Sequence, residues 1–318
     1  MISPRSLLWC RKSAFLFLAF FSSYNCHSQQ NGPLQFRMYD DVRITIDIPA
    51  GYSPSKKTII ILFALPNGNT TEQTMGKKMQ EGDDWHFDIQ HIKAQTAFIR
   101  NELPEQNFVV AYLENTFKSW PTWKTKHVNY ISETQHIVDT IYSLFSARQK
   151  VIYLSGHSGG GRFVFNYLDG VNSIPAKVER ITFLDSDYGY DSSYLEKIQV
   201  WLKKKDNVLN IFAYNDSVAL YNGKRVVSDT GGTWYRSHLM LKDLSGFRFK
   251  KIRDDSLIVY ISADKKVQFY FKTNPDKKIY HTQQVELNGF IHSVLMGTKK
   301  ESENYMYFGP RAYSAFIN

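Results

Sequence analysis

The feature that most constrains this chain is the run Val151 to Leu168, VIYLSGHSGGGRFVFNYL, where a short apolar segment meets a glycine-rich turn and then a helical pattern. Lys150 to Leu154 is β-rich, too brief for a helix and stopped by Gly156, which predicts a buried parallel strand. Gly156-His157-Ser158-Gly159-Gly160 fits G-x-S-x-G. A sharp strand-to-helix turn needs small neighbours on both sides of the serine, because the backbones crowd there. Phe163, Val164, Tyr167 and Leu168 then fall on one face of a helix that ends at Asp169-Gly170. Such a helix begins just past Ser158, so its free N–H groups and positive dipole end face any negative charge that develops beside the serine.

This arrangement resembles the nucleophile elbow of the α/β-hydrolase superfamily, with the elbow as the one specific motif and the order of elements following over roughly residues 55 to 300. The resemblance implies an α/β fold: a mostly parallel central sheet with helices on both faces. It also implies a serine nucleophile, two backbone donors for the oxyanion, and an acid and a histidine that follow the serine in that chain order. No metal or organic cofactor is implied.

The rest of the chain supplies the strands and helices such a sheet needs. Phe36 and Met38, then Val42, Ile44, Ile46 and Ile48, alternate as two half-buried strands joined near Asp40-Asp41. Thr58 to Leu65 and Phe108 to Leu113 are almost continuously apolar, as central strands are. Asp84 to Leu103 reads as a helix, although His86 and His91, five apart, share no helix face and make no metal pair. Ser132-Glu133-Thr134-Gln135 reads as a capping box opening a helix through Phe145. Past the elbow come a strand at Arg180 to Leu184, a helix at Ser193 to Leu202 and a strand at Val208 to Tyr214, a rhythm of parallel strands with right-handed crossovers.

On the resemblance, Ser158 is the nucleophile and Gly159 the first oxyanion donor. The second donor comes from the loop after Thr58 to Leu65, at Asn67 or Gly68; Pro66 to Asn69 also suits a plain β-turn. Asp216 stands just past the apolar Val208 to Tyr214 strand and is the expected acid. Asp187 and Asp185, at the end of the preceding strand, are the alternatives. His292 follows Val285 to Leu287, read as another strand, with Asn288-Gly289 as a loop signal, and is the expected base; His281 and His238 are the fallbacks. His157 packs beside the nucleophile. From Asp216 to His292 is 76 residues, longer than the resemblance implies. An inserted segment over about 220–275, before the last strand, either a lid or an extension of the sheet, accounts for the excess. It contains a hairpin pattern at Leu257 to Ile261 and Val267 to Phe271, as well as Asp254 and Asp264, further acids should Asp216 fail. Trp120 and Trp123 in a loop, with Trp234 and Arg236 in the insertion, are candidates to line a substrate cleft; closing a core is the other role of such aromatics.

Residues 1–28 read as a secretory signal peptide: Arg5, Arg11 and Lys12, then an apolar Ala14 to Phe21, with Cys26 and Ser28 as small residues before a cut at Gln29. The hydrolase domain is then 29–318, without cysteine, and the protein is expected to be secreted or periplasmic. Lipid anchoring at Cys26 is the alternative. The apolar run is too short to span a bilayer. The leader holds three cations and no acid, so the formal charge of +9 becomes +6 without it; the lysines are scattered and read as solvated turns, so no nucleic-acid partner is expected. The expected activity is hydrolysis of a carboxylic ester on a small molecule or glycan through an acyl-enzyme. A peptidase or amidase of the same fold, and an inactive glycan-binding or scaffold protein, are the competing readings. The sequence leaves oligomeric state open.

Overall fold

The computed structural model describes residues 33–318. The expected leader, with Cys10 and Cys26, lies outside the described residues.

Alternating apolar and polar residues form the opening hairpin, β1 (Leu34–Met38) and β2 (Val42–Asp47), antiparallel in register from Leu34↔Ile46 to Met38↔Val42. The continuous apolar runs become the centre: β3 (Thr58–Ala64), β4 (Asn107–Asn115), β5 (Lys150–His157), β6 (Val178–Leu184) and β7 (Val208–Tyr214), joined by parallel pairings. A small hairpin, β8 (Leu220–Tyr221) and β9 (Lys224–Arg225), follows. Then β10 (Phe249–Asp254) and β11 (Leu257–Ser262) pair antiparallel, and β12 (Val267–Lys272) returns parallel to β7. The ten-stranded sheet runs β1-β2-β4-β3-β5-β6-β7-β12-β11-β10. The strands of 249–272 therefore extend the sheet rather than form a lid over it.

The helices are α1 (Thr71–Met75), α2 (Ile92–Glu102), α3 (Trp120–Lys126), α4 (Tyr130–Ser143), α5 (Gly161–Asp169), α6 (Leu195–Leu202), α7 (Thr233–Asp243), α8 (Gln283–Glu286) and α9 (Gly289–Leu295). Both faces of the sheet are covered. Ile60 and Leu62 of β3 point into one core, with residues of α3 to α7; Ile59, Ile61 and Phe63 point into the other, with residues of α2, α8 and α9. This two-faced burial removes the need for polar alternation in β3 to β7. The architecture is the α/β-hydrolase fold.

Four local expectations change. The helix expected over 84–103 is only α2, because His91 adopts a left-handed φ of 46° after a single 3-10 turn that Asp84 caps. Helix α4 starts at Tyr130, two residues before the expected box, and the Ser132 hydroxyl donates back to the Asn129 carbonyl at 3.1 Å. Trp120 and Trp123 lie on a helix rather than a loop, with Ser119 as its cap and Pro121 in its first turn. Val285 belongs to α8, so the segment leading to His292 is helical and the last strand is β12.

Candidate active site

Strand β5 ends at His157, paired with Leu184 of β6, and the chain turns sharply at Ser158. Ser158 has φ +54°, a left-handed conformation that costs a non-glycine residue energy and persists only where its surroundings impose it. The surroundings are backbone. A Cβ on Gly156 would lie 2.7 Å from the Gly160 carbonyl carbon, and one on Gly160 would collide with the Ala64 carbonyl oxygen at the end of β3. Ser158 to Gly160 form a 3-10 turn that runs into α5, and the Gly159 N–H stands at its head, where no in-helix acceptor precedes it. The Asn67 side chain lies against Gly159, so closely that a Cβ there would collide with its amide. The Gly68 N–H donates to the Lys118 carbonyl at 2.8 Å and is thus engaged by the segment between β4 and α3.

One strand over, Asp185 follows β6 with φ +48°, fully buried. Its Oδ2 pairs with Nδ1 of His281 and its Oδ1 accepts the Thr233 hydroxyl. The His281 ring packs beside that of His157, centroids 4.6 Å apart, and the His281 carbonyl accepts the His157 Nε2–H at 3.2 Å. A carbonyl can only accept, so His157 carries its proton on Nε2, and its Nδ1 has no partner. Burial, then the neighbouring His281, holds the His157 pKa well below the usual histidine range, so His157 is neutral.

Asp216 follows β7 at the same end of the sheet but faces α7. Its carboxylate accepts the backbone N–H groups of Thr233 (2.8 Å) and Trp234 (3.3 Å), the free donors of the first turn. Burial, reinforced by the Asp185 charge, pushes its pKa up to about 6 against the pull of those donors. Asp187 accepts the Ser237 hydroxyl of α7 at 2.8 Å, and burial raises its pKa well above the carboxylate range. Three carboxylates thus converge on one helix, but only Asp185 holds a histidine.

His292 is not brought to Ser158. It sits on α9 within the core beneath the sheet, enclosed by the rings of Phe212, Tyr270, Tyr305 and Tyr307, with Nδ1 3.0 Å from the Tyr305 hydroxyl and Nε2 unpartnered. Burial, then the Arg180 charge, pushes its pKa down to about 3. His238 is bonded within its own helix, Nδ1 to the Trp234 carbonyl at 2.7 Å. Trp120 and Trp123 are fully buried, edge to face with each other, and Trp120 is edge to face with Phe163 of the elbow helix α5, so they close a core and line no cleft. Trp234 is half-buried against Phe271 and His238. Arg236 donates to the Tyr190 carbonyl at 2.9 Å, which braces α7 rather than presenting a free guanidinium.

The Asp185–His281 pair and the bridging Thr233 are what the sequence reading did not combine. The signal was present: Val267 to Phe271 reads as a strand, and the first histidine after it is His281. A cavity of about 570 Å³ lined by Asn215, Arg253, Asn274 and Lys277 opens beside β7 and β12, two and three strands from β5. Among the described residues, no group of three or more His, Cys, Asp or Glu is placed to hold a metal ion.

No described protein family and no curated protein matches the sequence. Among solved structures the chain is similar to a thermostable esterase at 14% identity and TM-score 0.46, covering 77% of this chain and 55% of that one. It is similar to the acetyl xylan esterase from Aspergillus awamori at 12% identity and TM-score 0.43, covering 76% and 92%. A siderophore hydrolase from Aspergillus nidulans aligns at 11% identity and TM-score 0.46, covering 83% and 94%. The chain spans little more than half the length of the thermostable esterase.

Proposed function

We propose that this chain is a serine hydrolase acting on a carboxylic ester, with Ser158 as nucleophile, His281 as general base and Asp185 as the carboxylate that orients it. The observation that carries the reading is the Asp185–His281 pair packed on His157, the residue that precedes a left-handed Ser158 at the strand-to-helix turn. With Nδ1 of His281 on Asp185, Nε2 is the nitrogen left to take the Ser158 proton. As Oγ bonds to the acyl carbon, the carbonyl oxygen becomes an oxyanion beside the Gly159 N–H and a donor of Asn67. Collapse breaks the bond to the alcohol, which leaves with the proton from His281. Water, deprotonated by the same histidine, then releases the acid from the acyl-enzyme. The residues that hold this geometry need no metal to make the serine nucleophilic.

An ester is favoured over an amide because an alkoxide is the easier leaving group, although the same triad cleaves both. The expected leader makes extracellular or envelope material the accessible substrate pool, and acyl groups on carbohydrate are the class we infer. A serine-directed fluorophosphonate tests the reading. The protein is labelled and hydrolyses an activated acetate ester, whereas Ser158→Ala does neither; labelling that survives the substitution sinks the nucleophile assignment. Acetylated, feruloylated and peptidyl substrates, compared by kcat/KM, then separate esterase from peptidase.

A further inference from the structure

Lysines that are far apart in the sequence converge at the end of the sheet opposite Ser158. Lys203, Lys204 and Lys205 lead into β7; Lys265 and Lys266 lead into β12; Arg248 leads into β10. These three strands start at the same end, since β7 and β12 are parallel and β10 is antiparallel to β11, itself antiparallel to β12. The turns are joined to one another. The Leu209 N–H donates to the Lys266 carbonyl at 2.8 Å, and the Ala263 N–H to the Phe247 carbonyl at 3.3 Å. Lys266 Nζ donates to the carbonyls of Leu202 (2.6 Å) and Lys204 (2.8 Å), tying the last turn of α6 to the start of β12.

The patch is nearly free of countercharge. Its acids are Asp206 and Asp264, and Asp264 is occupied by the Ser262 hydroxyl (2.6 Å) and the Lys266 N–H (3.2 Å). Among the described residues none of the six cations is in an ion pair; the pairs Arg225–Asp229 and Lys278–Asp276 belong to other segments. Lys203, Lys204, Lys205, Arg248 and Lys265 are exposed. Holding like charges together with backbone carbonyls raises a positive potential that a polyanion would neutralise.

We propose that this end of the sheet docks on an anionic lipid bilayer. Turn tips at the ends of co-directed strands present their charges to a plane, and a bilayer surface is planar with laterally mobile headgroups. Among the described residues the exposed aromatic side chains, Tyr39, Trp85, Phe117, Tyr221 and Tyr235, all lie on other segments, so none of them gives the patch a platform on which nucleic-acid bases would stack. Docking there is electrostatic and reversible by salt, and it leaves the Ser158 end of the sheet directed away from the surface.

Co-sedimentation of the full chain with phosphatidylcholine vesicles, with and without phosphatidylglycerol, tests this. The neutral vesicles report any binding through the apolar N-terminal run, and the gain on adding phosphatidylglycerol reports the patch. That gain is expected to vanish in high salt. The triple variant Lys203→Gln, Lys204→Gln, Lys205→Gln should weaken it by roughly a hundredfold, at about fivefold per lysine. The variant Lys118→Gln, Lys126→Gln, Lys224→Gln carries the same change in net charge on exposed residues elsewhere and should leave it intact. Equal loss in both variants, no gain with phosphatidylglycerol, or retention on immobilised DNA without vesicle binding would each overturn the proposal.

Discussion

His281 donates through Nδ1 to Asp185, and Asp185 stands immediately after Leu184, the residue of β6 in register with His157 of the elbow. Two side chains 96 residues apart in sequence therefore meet one strand from Ser158. The same contact frees the carboxylate at the end of β7 for another task. Asp216 is turned onto the N-terminus of α7, and Thr233, the first residue of that helix, bridges back to Asp185. One helix start is thus tied to the carboxylates after both strands.

Asp185→Asn should lower kcat by about 10⁴ with little change in KM, because an amide can hold the imidazole in the wrong tautomer and cannot stabilise its protonated form. His281→Ala should cost a similar order, and the two losses should not add. Asp216→Asn keeps an acceptor for the Thr233 N–H and should leave turnover nearly intact. Steady-state kinetics on an activated ester decide between the carboxylates: a large loss at Asp216 with a small one at Asp185 would return the acid to β7.

The sheet was legible because its central strands are continuous apolar runs of the right length, and the elbow because glycine is demanded where Gly156 and Gly160 touch other backbone. The base was not, for a definable reason. Val285 to Leu287 and Gly289 to Leu295 are as apolar as a strand, and a short apolar run does not distinguish strand from buried helix by periodicity. Reading Val285 into a strand moved the last strand past His281 and made His292 the first histidine after it. The acid was ambiguous because Asp185, Asp187 and Asp216 all follow apolar strands; which one meets a histidine is decided by where α7 and the loop to His281 pack. Trp120 and Trp123 stand on a helix because Pro121 is at the start of α3, where its missing N–H costs nothing. The lysine pairs looked scattered because strand order, not sequence order, brings them together.

Asp216 also predicts a pH dependence of stability. Its pKa is about 6 in the folded protein against 3.8 for an unperturbed side chain. Between these values the folded state holds a proton that the unfolded chain has lost. Stability from this group is therefore greatest at low pH and declines as pH rises through about 4 to 6, by on the order of 3 kcal/mol in all. Asp216→Asn removes that slope. Urea midpoints across this range should show the variant gaining on the parent as pH rises, and levelling off above about 6.

His292 has the opposite sign. Its pKa is about 3 in the fold against 6.5 unperturbed, because charging it inside the cluster of Phe212, Tyr270, Tyr305 and Tyr307 carries a large desolvation cost beside Arg180. Above pH 6.5 both states are neutral and the group contributes no slope; below it the unfolded chain binds a proton that the folded one refuses. Stability therefore falls on acidification by up to about 1.4 kcal/mol per pH unit from this group. In the window between pH 4 and 6 this opposes the Asp216 slope, so the parent curve conceals both and only variants separate them. His292→Gln keeps a partner for the Tyr305 hydroxyl but disturbs the ring packing, at roughly 1–3 kcal/mol at pH 7. Its deficit against the parent should shrink steadily as pH falls below 6.5. Activity per folded molecule should stay near that of the parent, since His292 lies beneath the sheet and not at Ser158. A deficit that is constant with pH would mean the buried histidine titrates normally, and a loss of turnover without loss of fold would return His292 to the role of base.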